Sequence, residues 1–80
     1  MKNVNANFQI HNKRELEFAL FCIDFVAKEL KMPTNVIYQK LAESSLLQSY
    51  IIANYEILHT LGKDYLVEDI IGLMREKDLL

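Results

Sequence analysis

The sequence predicts an all-α protein: a compact bundle of about four helices, the second short and the first at the centre. Three observations carry this. Apolar residues recur at three- and four-residue spacing in successive segments. The only proline, Pro33, and one of the two glycines, Gly62, fall between those segments. The first segment is apolar round most of its circumference, which is the pattern of a central helix.

Residues 1–11 carry Asn3, Asn5 and Asn7 and little helix propensity. Phe8 and Ile10 alternate with polar neighbours, so a short extended stretch competes with a flexible tail, the expectation adopted. His11 falls in this tail. Residues 12–80 are expected to form one helical domain.

The first helix is expected from about Lys13 to Lys31. Asn12 and Glu15 have capping-box spacing, and Lys28 and Lys31 suit a helix C-terminus. Pro33 stops it, having no N–H to donate. Thr34 is the expected cap of a short helix reaching about residue 43, with Ile37 and Leu41 as an i,i+4 apolar pair. Ser44 and Ser45 interrupt it. Ser45 with Gln48 repeats the capping-box spacing and opens a third helix expected to end near Leu61. Gly62 is expected to close that helix in a left-handed conformation. Asp64 then caps a fourth helix, from Tyr65 to about Lys77.

Stepping residues at about 100° assigns faces. The fourth helix turns Leu66, Val67, Ile70, Ile71, Leu73 and Met74 inward, and Gly72 lies toward its polar side. The third turns Leu47, Tyr50, Ile51, Ile57, Leu58 and Leu61 inward, with Asn54 among them. A buried amide needs a hydrogen-bond partner, and a tyrosine hydroxyl is the expected one. On the first helix a broad face runs through Leu16, Ala19, Leu20, Cys22, Ile23, Val26, Ala27 and Leu30. Phe18, Phe21 and Phe25 form a second apolar stripe beside it. That stripe reads either as core or as a candidate interaction surface.

Composition narrows the functions. The chain has 80 residues, 51% of them hydrophobic, and a net charge of −2. Nothing in that charge draws it to nucleic acid or anionic membrane. Its single cysteine, Cys22, excludes an intrachain disulfide and fits a reducing compartment. The apolar run from Phe18 to Ala27 falls short of the roughly 20 residues a membrane helix needs, so a cytoplasmic protein is expected.

No catalytic, cofactor or metal signature stands out, so an enzyme is not expected and no cofactor is implied. Glu56 and His59 have the Glu-x-x-His spacing of di-iron bundles, but those need two such pairs and further carboxylates. His59, Thr60, Tyr65 and Asp69 gather round the third turn as a candidate turn site. An imidazole beside Asp69 would make an acid–base pair and a small enzyme. Residues 34–61 have the outline of a helix–turn–helix, which gives an alternative reading as a nucleic-acid-binding regulator. Its recognition segment, Ser45 to Leu61, has no lysine or arginine for phosphate contacts.

One stretch is more specific. Tyr50-Ile51-Ile52, Tyr55-Glu56-Ile57-Leu58-His59-Thr60, Gly62-Lys63, Tyr65 and Val67-Glu68-Asp69-Ile70 resemble a small bacterial family, domain of unknown function 3791. Glu17-Phe18 to Cys22-Ile23 resembles its opening helix. The resemblance implies short stand-alone proteins without an established activity. Some are encoded beside ADP-ribosyltransferase-like proteins, which implies a regulatory or antitoxin-like role and such a neighbour as partner. Members often carry glutamine where this chain has Leu61. The functional expectation is a protein–protein interaction or regulatory module, paired with itself as a homodimer or with another protein.

Overall fold

The computed structural model describes residues 12–80; the stretch expected to be a tail, His11 included, lies outside them. The described residues form α1 (Lys13–Leu30), α2 (Thr34–Glu43), a π-helix (Leu47–Ile52), α3 (Tyr55–Leu58) and α4 (Lys63–Glu76), with no strand among them. The fold is the expected all-α bundle, with the third helix divided in two.

α1 begins as its sequence dictates. The Asn12 side chain accepts a hydrogen bond from the Glu15 N–H at 2.9 Å, satisfying one of the donors that a helix start leaves free. Its far end closes on Lys31, which is left-handed at φ 57°. The Lys31 N–H donates to the Lys28 carbonyl at 3.2 Å and the Met32 N–H to the Ala27 carbonyl at 3.0 Å. This crossed pair of bonds is a Schellman closure. α4 ends the same way, on Asp78 at φ 59°, with Asp78 N–H to Arg75 at 3.0 Å and Leu79 N–H to Met74 at 2.9 Å.

The α2 exit is a variant on this closure. Ser45 is left-handed at φ 71°, and the Ser44 hydroxyl is inserted between the outer partners. It donates to the Leu41 carbonyl at 3.2 Å and accepts from the Leu46 N–H at 3.3 Å. So three non-glycine residues hold left-handed positions, while neither glycine does. Gly62, expected to be left-handed, sits extended at φ −65°, ψ 150° as the residue before α4. Replacing Lys31 with glycine removes the clash between Cβ and carbonyl that this conformation imposes. The Lys31→Gly variant is expected to gain about 0.5–1 kcal/mol in urea unfolding. A loss would mean that the lysine chain contributes more than its backbone costs.

Other expected caps also move. Pro33, not Thr34, precedes α2, and its carbonyl accepts from Val36 and Ile37 N–H groups at 3.1 and 3.2 Å. Asp64 falls inside the first turn of α4, where a carboxylate still suits the helix dipole. Ser45 does not cap the third helix through its side chain, because its left-handed backbone carries the turn instead.

The core explains the order of packing. α1 lies against α2, the π-helix and α4, and its Cys22 and Val26 are completely buried. Ile37, Leu41, Leu47, Ile51, Leu66, Ile70 and Met74 close round them. Burial of the Cys22 thiol pushes its pKa up to about 12, so it behaves as a small apolar side chain.

Three residues expected inward are not. Leu16 and Leu20 are exposed; Leu20 lies one step, about 100°, round α1 from Ala19 toward the polar strip. Ile57 is 67% exposed, whereas Leu46 and Ile52, absent from the expected core, are buried. The π-helix accounts for the changes around the third helix. The Ala53 N–H reaches back five residues to Gln48 at 3.1 Å, and this wider turn brings residues five apart onto one face. Leu46 and Ile51 make such a pair, as do Leu47 and Ile52. The chain then breaks at Ala53–Asn54 before α3 restarts out of phase.

Candidate functional site

The phenylalanine stripe of α1 lies at the margin of the core. Phe18 and Phe25 are half-buried against it and Phe21 is 38% exposed. The three rings touch in sequence: Phe18 to Phe21 with centroids 6.4 Å apart, Phe21 to Phe25 at 4.6 Å. α3 extends the run. Tyr55 meets Phe18 edge-on at 5.4 Å, and His59 stacks on Tyr55 at 4.5 Å with their planes 9° apart. Five rings, His59–Tyr55–Phe18–Phe21–Phe25, thus form one continuous ladder across two helices. Offset and edge-on contacts of this kind add roughly 0.5–1.5 kcal/mol per pair beyond burial.

Cations close the ladder at its Phe25 end. The Lys28 and Lys63 ammonium groups lie 5.2 and 4.6 Å from the Phe25 centroid, within cation–π range. Lys28 also pairs with Asp24 at 3.5 Å, and Lys13 with Glu17 at 4.0 Å. These exposed pairs lie along the polar strip beside the ladder and add little stability.

The turn-site residues separate. The His59 Nδ1–H donates to the Tyr55 carbonyl at 2.7 Å, so His59 belongs to the aromatic ladder. The Thr60 hydroxyl donates to the Ile57 carbonyl at 2.7 Å, which closes α3. Tyr65 projects from α4 and is 67% exposed. Asp69 accepts a hydrogen bond from the Tyr50 hydroxyl, tying α4 to the π-helix. His59 and Asp69 therefore have different partners and make no acid–base pair. Among the described residues no group of three or more histidine, cysteine or acidic side chains converges to hold a metal ion.

Asn54 is half-buried rather than buried, because the chain breaks there. Its partner is a tyrosine, but through the backbone: Asn54 Nδ2 donates to the Tyr50 carbonyl at 2.9 Å. The same carbonyl accepts the Asn54 N–H at 3.2 Å, so Asn54 seals the end of the π-helix. The segment from Ser45 to Leu61 is consequently not the continuous recognition helix that a helix–turn–helix needs.

Sequence reasoning missed Tyr55 as part of the stripe and Tyr50 as the partner of Asp69. Phe18 and Tyr55, like Tyr50 and Asp69, are far apart in the chain. The aromatic side chain three residues into the sequence following Ala53–Asn54 could have been matched to the stripe only with the helix phase known.

Fold and site together define a small all-helical bundle with an aromatic face. The chain belongs to the family described as protein of unknown function (DUF3791), whose model matches residues 17–77. That match covers both helices that build the ladder. No curated protein and no solved structure is similar enough to this chain to count as a match. No helix among the described residues is long and apolar enough to cross a membrane.

Proposed function

We propose that this chain is a protein-interaction module of the cytoplasm that regulates another protein by docking, without catalysis of its own. The observation that carries this reading is the five-ring ladder. Aromatic side chains held rigid by one another lose little conformational freedom on binding, and they dominate the energetics of interfaces. Phe21, at the middle of the α1 stripe, is the ring most open to a partner. Lys28 and Lys63 at one end, with His59 at the other, supply the polar rim. A second copy of the chain and a different protein, including an ADP-ribosyltransferase-like one, are the candidate occupants. An antitoxin-like role would follow from the latter.

Phe21→Lys tests this. The variant is expected to keep its helical circular dichroism and to lose association by about tenfold or more. Association is read by sedimentation equilibrium for self-pairing and by comparative capture from native lysate for other partners. Identical behaviour of variant and wild type would remove the ladder from any interface. Unfolding of the variant would make Phe21 a structural residue and overturn the reading.

A further inference from the structure

Gly72 is a residue that nothing inside the described chain accounts for. It is the exposed tenth residue of α4, and its φ is not positive. A Cβ built on it would meet no atom within 4 Å. A glycine inside a helix costs about 1 kcal/mol relative to alanine. Neither local geometry nor crowding requires one here. What the missing side chain does is open the helix backbone to close approach from outside.

The surface on either side gives that approach a shape. Toward α1 lies a groove of about 790 Å³, floored by Phe25, Val67 and Ile71. On the opposite side a hollow of about 290 Å³ is lined by Tyr65, Glu68, Asp69 and Glu76 and has no lysine or arginine in its lining. Gly72 borders both. Any larger residue there would stand between them; glycine leaves one trough crossing α4.

Charge selects the occupant. Glu68 and Glu76 have no ion-pair partner among the described residues, and the exposed Tyr65 ring lies beside them. Carboxylates next to an open aromatic face attract a lysine or arginine. A second copy presenting this same face would set carboxylate against carboxylate, so the trough does not suit self-pairing. The apolar floor beyond Gly72 takes an aliphatic side chain. We propose that the trough over Gly72 docks a helical segment of a partner protein, with apolar residues along one face and lysine or arginine along its edge. Such a helix packs closest where the opposing backbone carries no side chain. This goes beyond the ladder reading, because the trough is built on α4 and shares only Phe25 with the ladder.

The test uses two model peptides of about 18 residues, roughly five helical turns. Both carry leucine at i, i+4 and i+7 spacing; one has lysines on its flank and the other glutamates. In amide-resolved NMR titrations the lysine peptide is expected to shift Tyr65, Glu68 and Gly72. The glutamate peptide is expected to bind at least about tenfold more weakly. Gly72→Gln fills the trough with a residue that favours helix, so its Tm is expected to equal or exceed that of the wild type while affinity falls about tenfold. Phe21→Lys is expected to leave this binding unchanged, which separates the trough from the ladder. Equal binding of the two peptides, shifts confined to other residues, or wild-type affinity in Gly72→Gln would overturn the proposal. Wild-type self-association abolished by Gly72→Gln would also overturn it, by making a second copy the occupant.

Discussion

Ile52→Ala is expected to cost about 2–5 kcal/mol, whereas Ile57→Ala should cost no more than about 0.5 kcal/mol. The two residues are the same type, five positions apart, in a stretch that reads as a single helix. Their burial is opposite: Ile52 is 3% exposed and Ile57 is 67% exposed. On a regular α-helix, Ile52 would stand about 140° round from Leu47 and outside the core face. The five-residue hydrogen-bond step of the π-helix brings it under Leu47 instead. Truncating it removes transfer free energy and leaves a cavity, while truncating Ile57 exposes little that was hidden. A domain of 80 residues has roughly 4–12 kcal/mol of stability in total. Ile52→Ala therefore removes a large share, visible as a lower urea midpoint by circular dichroism. Equal midpoints for the two variants would show that the third helix keeps the regular phase and that the π-turn is wrong.

The same pair of residues marks how far sequence can be read. Where local rules act alone they held: Asn12 starts α1, Lys13 is its first residue, and helix ends before Pro33. The apolar face of α4 is where periodicity puts it, with Leu66, Val67, Ile70, Ile71 and Met74 buried. Turn chemistry was less legible. A left-handed residue is anticipated at glycine, yet Lys31, Ser45 and Asp78 hold those positions because each closes two carbonyls at a helix end. The phase of the third helix was hidden because a π-turn leaves no composition signature; it answers to the packing of Leu46, Leu47, Ile51 and Ile52 against α1. For the site, the phenylalanine stripe was visible as a period on one helix. Its continuation through Tyr55 and His59 was not, since it depends on how α3 docks. The turn site dissolved for a related reason: closeness in sequence round Gly62 gave no hint that Asp69 faces back to Tyr50, 19 residues earlier.

That Tyr50–Asp69 contact makes stability fall in alkali, with a sign that can be worked out. The Tyr50 hydroxyl is pushed from 10.0 up to about 12, first by burial and then by the Asp69 carboxylate that accepts its proton. Both causes oppose a phenolate in the fold. Between about pH 10 and 12 the unfolded chain releases this proton while the folded chain keeps it. The folded state then binds more protons, so unfolding becomes easier as pH rises. Cys22 acts in the same direction from lower pH, since its thiol rises from 9.0 to about 12 on burial. Both contributions are fully present below pH 9 and are lost as pH climbs through the folded values. Tyr50→Phe removes the upper part of this loss alone. At neutral pH it costs about 1–2 kcal/mol, because the half-buried Asp69 carboxylate loses its donor. Above pH 10 the gap between variant and wild type should narrow, since only the wild type still has this proton to lose. Cys22→Ala should flatten the curve from about pH 9 instead. Urea midpoints across the alkaline range, taken as differences from wild type, cancel the titration of the other tyrosines and the lysines. A constant gap between Tyr50→Phe and wild type would mean that the phenol is not held neutral by the fold, and that α4 is secured to the π-helix by packing alone.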